Sequence, residues 1–180
     1  MIALCHDKRI AVSDAANFGR VGVLYGGFSS ERQVSLRTGK SVLGALIARG
    51  VDAYGWDTEK HNLAELAGEN FDRVWIALHG PGGEDGAIQG ALQWLKIPYT
   101  GSGVLSSALA MDKIGSKQIF TAAGIPTPNY VVINEQADAS YAEAELGFPM
   151  IIKPAQQGSS VGIGVVAEPG DLKGAIETAL

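Results

Sequence analysis

The sequence predicts an α/β protein, a parallel sheet of βαβ units followed by a second unit of different construction. Three observations carry this. Short apolar runs alternate with helical stripes from Arg20 to about Met111, the order that builds a parallel sheet. The loops Gly26–Ser30, His79–Gly86 and Gly101–Gly103 follow three of those runs and are rich in glycine. Ligands of such sheets gather at the carboxyl ends of the strands, which is where these loops fall. From Asp112 onward the order changes to helix, strand, helix, hairpin and helix. The expected division is a lead-in over 1–19, an α/β domain over 20–111 and a second unit over 112–180.

Taken in order, Arg20–Tyr25 is a strand feeding the turn at Gly26-Gly27. Ser30-Glu31-Arg32-Gln33 has the S-x-x-Q form of a capping box, with Ser30 as N-cap. Val34, Val42, Leu43, Leu46 and Ile47 form the stripe of a helix that Gly50 stops. Val51–Trp56 is a second strand, Leu63–Ala67 a short helix and Phe71–Leu78 a third strand. After the loop at Gly80–Gly86 come a helix over Ala87–Leu95, a fourth strand at Ile97–Thr100 and a helix ending near Met111. The helix Lys113–Ala123 stops at Gly124, because Ile125-Pro126-Thr127-Pro128 cannot continue it. A strand at Tyr130–Ile133 and a helix from about Ala137 to Leu146 follow. The arms Met150–Lys153 and Val161–Val166 read as a hairpin. Leu172–Leu180 is a final helix with Asp171 as N-cap and nothing after it in the sequence to pack on.

A chain of 180 residues that is 46% hydrophobic, with 24 glycines, can bury a core and make many close turns. The net charge of −5 comes without a basic block, which argues against a nucleic-acid partner. No apolar run approaches the roughly 20 residues of a membrane span. Met1–Asp7 lacks the basic start and long apolar core of a secretory signal. The single Cys5 excludes an intrachain disulfide and fits a reducing compartment, so a cytoplasmic setting is expected.

The hairpin turn carries the first candidate chemistry. Gly158, Ser159 and Ser160 have little bulk, so their backbone N–H groups can approach an anion and the two hydroxyls add donors. Lys153 closes one arm, where its ammonium can reach the same anion. That suits the phosphates of a nucleotide, while an ordinary surface hairpin with a solvated lysine accounts for the same residues. Glu31 complements a helix dipole or, if it faces the crevice at the strand ends, suits a ligand ammonium. His79 is a strand-end residue or a substrate contact in that crevice. Lys113 begins a helix, where the dipole does not favour a cation, which hints at a nearby anion; an exposed lysine is the alternative. Glu84 and Asp85 read as a solvated loop pair or the cap of the next helix. His6, His61 and His79 lack the spacing of a zinc site. Gly101–Ser106 lacks the third glycine and the acidic partner of a dinucleotide fingerprint.

Taken together, five segments resemble the D-alanine–D-alanine ligase family, bacterial ligases of the ATP-grasp superfamily. They are Gly26-Gly27-x-Ser29-x-Glu31-Arg32-x-Val34-Ser35, Ala77-Leu78-His79-Gly80-x-x-Gly83-Glu84-Asp85-Gly86-x-x-Gln89-Gly90, Pro98–Gly103, Met111-Asp112-Lys113 and Lys153-Pro154-x-x-x-Gly158-Ser159-Ser160-Val161-Gly162. The resemblance runs in order from Arg20 to Leu180. It implies a Rossmann-like, pre-ATP-grasp substrate-binding domain followed by the first α+β lobe of an ATP-grasp domain. It also implies ATP-dependent joining of two D-alanines through a D-alanyl phosphate, for peptidoglycan. Carried onto this sequence, Glu31 would hold the ammonium of the first D-alanine, with His79 beside it, and Ser159 would link to Glu31 to close the site. Lys113, Lys153, Gly158, Ser159, Ser160 and Val161 would hold the ATP phosphates. The resemblance further implies Mg²⁺ or Mn²⁺ as cofactor with ATP, and a homodimer through the first domain.

By the same resemblance the chain stops short of a third domain, which would supply the metal ligands and much of the adenine pocket; none of its metal ligands is named in this sequence. The expectation is a fragment without ligase activity by itself. A D-alanine–D-lactate or D-alanine–D-serine ligase and a non-catalytic nucleotide-binding module stay open as alternatives. A nicotinamide-dependent dehydrogenase is disfavoured by the missing fingerprint.

Overall fold

The computed structural model describes residues 14–135, 138–159 and 161–180. The lead-in up to residue 13 with Cys5 and His6, the expected helix start at Ala137, and Ser160 lie outside the described residues. What is described of the lead-in is ordered. Asp14 caps a short 3-10 helix at Ala15–Phe18, and the Arg73 guanidinium lies 5.5 Å from the Phe18 ring.

A parallel sheet has the strand order β2-β1-β3, with β1 at Val21–Tyr25, β2 at Ala53–Asp57 and β3 at Arg73–Ile76. The middle strand is buried from Val21 to Leu24, so it reads as a continuous apolar run instead of alternating. Leu24, Trp56, Leu66, Phe71, Val74, Leu78, Ile88 and Leu92 pack into one core. The fourth run adds only one parallel bridge, Val74 to Tyr99, flanked by Val74 N–H to Pro98 O and Thr100 N–H to Val74 O. Pro98 has no N–H to extend the ladder and Gly101 turns away after it. Helices α1 (Arg32–Ala48), α2 (Leu63–Gly68), α3 (Ala87–Trp94) and α4 (Val104–Met111) complete this part.

Past α5 (Lys113–Ala122), the expected strand at Tyr130–Ile133 does not form. No described strand pairs with it, and β-branched residues without a ladder partner do not make a strand. Lys117 instead ties the segment down, donating to Thr127 Oγ1 at 2.9 Å and to Pro128 O at 2.6 Å. Helix α6 (Ala139–Leu146), antiparallel β4 (Met150–Ile152) and β5 (Gly164–Val166), and α7 (Pro169–Ala179) follow. The last helix does find something to pack on. Leu172 and Ile176 bury themselves with Met150 and Val166 in a second core. Pro169 takes its first position, which its fixed φ suits, and Asp171 falls inside the first turn instead of capping it.

The capping box expected at Ser30 is also absent. Glu31 occupies the cap position of α1 and makes no side-chain cap bond, because tertiary bonds set the entry of this helix. Arg32 grips Asp57 at the end of β2 with two bonds, 2.9 and 2.8 Å, and reaches Gly27 O at 3.2 Å and Glu59 at 2.7 Å. Gly26 has φ +80°, and a Cβ there would lie 2.2 Å from Asp57 Oδ1, so the loop closes on this pair only with glycine. Ser35, fully buried, accepts from Gly26 N–H at 2.8 Å and donates to Ala77 O at 2.6 Å, joining the ends of β1 and β3.

The hydrogen bonds to Arg32 hold the Asp57 carboxyl below its usual pKa, against the opposing effect of burial. A depressed carboxyl stabilises above its unfolded pKa of about 4, and that contribution is lost as pH falls through the lower folded value. Asp57→Asn is expected to cost about 1.5–3 kcal/mol at neutral pH, the worth of charge-assisted bonds, and to flatten the loss of stability below pH about 4. Urea unfolding across pH checks both. In α1, a Cβ on Gly39 would lie 2.3 Å from Tyr25 Cβ, whereas Gly44 has nothing within 4 Å. Gly39→Ala is expected to destabilise by about 1–3 kcal/mol through overpacking, and Gly44→Ala to stabilise by up to about 1 kcal/mol through helix propensity, both read by thermal unfolding.

Candidate functional site

Three loops converge at the carboxyl ends of β1 and β3. The first, Gly26–Ser30, is fixed by the Arg32–Asp57 pair and by Ser29, whose hydroxyl donates to His79 O at 2.7 Å and accepts from Glu31 N–H at 3.1 Å. That serine fastens the first loop to the second and aims Glu31 into the space between them. Glu31 is buried there.

The second loop is folded on its own acids. Glu84 accepts from Gly80 N–H at 2.7 Å and stands 3.7 Å from His79 Nδ1. Asp85 accepts from Gly82 N–H at 2.8 Å and from Ala87 N–H at 3.0 Å, so it caps the entry to α3. Both readings of this pair hold in part: Glu84 is exposed, and Asp85 bonds the first N–H of α3 from the residue before its cap, Gly86. His79 is fixed on its other side by Thr38 Oγ1, 3.2 Å from Nε2. Buried Gln89 holds the loop from beneath, donating to Gly83 O at 2.8 Å.

The third element is the flap between β4 and β5. It leaves β4 at Lys153 and brings Gly158 against Glu31: a Cβ on Gly158 would lie 2.8 Å from Glu31 Oε1, and one on Gly80 would lie 3.0 Å from the same atom. Gly80, at φ +69°, and Gly158 thus approach this carboxylate closely from two sides, and a side chain on either would press on it. Ser159, the next residue, has φ +51°, a left-handed conformation that a non-glycine residue adopts at a cost of about 1–3 kcal/mol. Val161 closes the turn through its N–H to Gly158 O at 3.1 Å.

Lys113 reaches the flap from the start of α5, its Nζ donating to Gln157 O and its N–H to Ala155 O at 3.0 Å. Burial lowers its pKa, the nearby charge of Lys153 lowers it further, and Asp112 acts in the opposite direction. The two ammonium groups are thus close enough to repel one another. Glu31, His79, Gly158 and Ser159 thus gather at one crevice, with Lys113 and Lys153 along the adjoining limb of the flap.

Sequence reasoning missed Asp112 and Gln156. Asp112 Oδ1 accepts from Gly115 N–H at 2.8 Å, capping α5, and Oδ2 accepts from Gln156 Nε2 at 3.2 Å. An aspartate just before a helical stripe is a legible cap, but its second partner lies 44 residues away. The outer face of β4 and β5 was missed as well. Strand alternation puts Ile151 opposite Val165, both exposed, on the side of the sheet away from Met150 and Val166. Lys153 shares the Ile151 face by the same alternation and was the available signal. Beside the crevice, Phe28, Leu63, Leu78, Pro81 and Ile88 help to line an open cleft of about 500 Å³. No cluster of three or more potential metal-ligating residues occurs among the described residues.

Comparison with known proteins identifies the family. The family model of the D-ala D-ala ligase N-terminus matches residues 52–102, and that of the D-ala D-ala ligase C-terminus matches residues 119–180. A D-alanine–D-alanine ligase of Ectopseudomonas mendocina is 56% identical over 153 residues, 85% of this chain and 49% of that protein. One of Pseudomonas putida is 50% identical over 174 residues, 97% of this chain and 55% of that protein. The crystal structure of the Bacillus anthracis D-alanine–D-alanine ligase complexed with ATP matches with a TM-score of 0.76 at 40% identity, over 89% of this chain and 52% of that one. The chain spans about half the length of the curated relatives it matches. A Rossmann-like sheet followed by an ATP-grasp lobe, two matching family models in chain order and identities of half or more place this chain in the D-alanine–D-alanine ligase family.

Proposed function

We propose that this chain carries the first D-alanine site and part of the ATP phosphate site of a ligase that makes D-alanyl-D-alanine for peptidoglycan. The observation that supports it most is the close approach of Gly158 to Glu31, which puts a buried carboxylate and the glycine turn of the flap in one crevice. In this reading 20–111 is the substrate-binding domain and 112–180 the first ATP-grasp lobe.

Glu31 pairs with the ammonium of the first D-alanine, and His79, steadied by Thr38 and Glu84, lies beside the same molecule. Ser159, exposed beside Gly158, closes the crevice over Glu31. Lys113 and Lys153, with backbone N–H groups of Gly158, Ser159, Ser160 and Val161, neutralise the triphosphate. A carboxylate oxygen of D-alanine then attacks the γ-phosphorus and ADP leaves. The amine of a second D-alanine attacks the resulting acyl carbon, phosphate departs and the new amide nitrogen loses its proton. The chain's residues contribute alignment and charge neutralisation throughout. The exposed Ile151 and Val165 supply apolar area for the nucleotide on the Lys153 side of the sheet.

Mg²⁺ or Mn²⁺, which the family implies, finds no ligand cluster among the described residues. The setting that goes with this function is the cytoplasm. No described helix is long and apolar enough to cross a membrane.

Calorimetry on the chain tests the reading. Lys153→Ala is expected to weaken ATP binding about 10-fold or more, the loss of a charge-assisted contact, and to leave D-alanine binding unchanged. Glu31→Gln is expected to do the reverse. Equal ATP affinity in wild type and Lys153→Ala would remove Lys153 from the site. A homodimer through 20–111 belongs to the same proposal. Trp94, 90% exposed at the end of α3, and Leu105, 72% exposed on α4, are apolar side chains there that gain from being covered. Sedimentation is expected to give twice the chain mass, and Trp94→Glu to return it to one.

A further inference from the structure

Glu31, at the cap position of α1, and Ser35 and Thr38 within the helix follow one another at spacings of four and three residues, so they share one face. That face meets the end of β3 and the loop after it. Ser35 donates to Ala77 O at 2.6 Å, and Glu31 Oε1 lies 3.0 Å from where a Cβ on Gly80 would stand. Between these two, Thr38 Oγ1 stands 3.2 Å from His79 Nε2.

The hydroxyl of Thr38 is not used as helical threonines commonly use theirs, which is to donate to the carbonyl four residues earlier. Thr121 donates in that way to Lys117 O and Thr178 to Gly174 O, both at 2.8 Å. Among the described residues Thr38 has the His79 ring as its hydrogen-bond partner instead, 41 residues away in sequence. Its proton is therefore free to go to the ring. We propose that Thr38 is a positioning residue for His79, seating its hydroxyl proton on Nε2 so that the neutral imidazole carries its own proton on Nδ1. The inference rests on the reading of His79 as a D-alanine contact, and adds to it the ring's tautomer and the residue that sets it.

Two features give the bond its direction. An ionised carboxylate only accepts, so Glu84, 3.7 Å from Nδ1, favours an N–H at that atom. Nε2 is then bare, and Thr38 is the group at hydrogen-bond distance with a proton to give. The backbone of His79 is fixed separately, because its carbonyl accepts from Ser29 Oγ at 2.7 Å. What remains is rotation of the side chain, and Thr38 and Glu84 restrain it at the two ring nitrogens.

The consequence for the ligand follows from lone pairs. An imidazole with an uncovered nitrogen is an acceptor, and beside an amino acid it competes for the ammonium. With Nε2 covered, the ammonium is left to Glu31, and the ring offers D-alanine its shape instead of a second acceptor. Because Glu31 and Thr38 belong to one helix face, the carboxylate and the imidazole keep a fixed relation to each other.

The test is NMR on the chain with ¹⁵N-labelled histidine, at a pH where the ring is neutral, and titration with D-alanine. The His79 signals, identified by their loss in His79→Ala, are expected to show a protonated Nδ1 and a bare Nε2. Thr38→Val keeps the branched shape and removes the hydroxyl. It is expected to give a mixture of tautomers and to weaken D-alanine binding about fivefold, the worth of one neutral hydrogen bond. Thr38→Ser is expected to retain the wild-type tautomer and affinity. In the His79→Ala background, Thr38→Val is expected to weaken binding no further, since it acts through the ring. A wild-type ring protonated on Nε2, a tautomer that ignores Thr38→Val, loss of the tautomer in Thr38→Ser, or additive losses in the double variant each overturn the inference and leave His79 as a contact. Unchanged D-alanine affinity in His79→Ala overturns the reading of His79 itself, and the role of Thr38 with it.

Discussion

Glu31 is buried although it stands at the start of a surface helix whose neighbours Ser30 and Gln33 face solvent. Removing a carboxylate from water costs several kcal/mol, so the surroundings of this one are unusually constrained. Ser29 fixes its backbone, the Arg32–Asp57 pair fixes the residue after it, and Gly80 and Gly158 approach its Oε1 from two sides. The first loop, the second loop and the flap are each arranged around that oxygen. A side chain at Gly80 or Gly158 would part them.

The two cores serve this arrangement differently. The parallel sheet and its helices hold Glu31 and His79 on elements that are bonded to one another, through Ser35 between β1 and β3 and through Ser29 between the loops. The second core holds only the base of the flap, because Met150 and Val166 are buried while the turn beyond them lies outside that core. Local stability falls with distance from buried contacts. The position of Gly158 is therefore decided by the bonds of Ala155, Gln156 and Gln157 to the start of α5 and by Glu31, not by the sheet from which the flap springs.

Much of this was legible in the sequence. Alternating runs and stripes gave the parallel sheet, and glycines after the strands gave the loops that meet at its carboxyl ends, because both follow from local chemistry. The readings that failed were those in which tertiary bonds outbid a local rule. Ser30 matches a capping box, yet Arg32 is drawn to Asp57, 25 residues on, and sets the helix entry itself. Tyr130–Ile133 has strand residues but no partner. The final helix packs backwards onto β4 and β5, which a reading that looks only forward from Leu172 cannot find. Asp112 was visible as a helix start, but its bond to Gln156 depends on how the hairpin folds over, which no spacing encodes.

Lys113 shows how a locally unfavourable placement can be made stable. A cation at a helix N-terminus opposes the dipole, and here a second lysine lies close enough to add repulsion. Asp112 offsets part of this and spends its other oxygen on capping the same helix. The Gln157 carbonyl offsets more by accepting from the ammonium itself. None of these partners neutralises both lysines, for one carboxylate already engaged by two N–H donors cannot satisfy two ammonium groups. Residual positive charge beside the half-buried Lys113 is unfavourable in the free protein and is offset when a polyanion is present. The unfavourable start of α5 is thus more readily understood as a feature of a binding site than as a requirement of the fold.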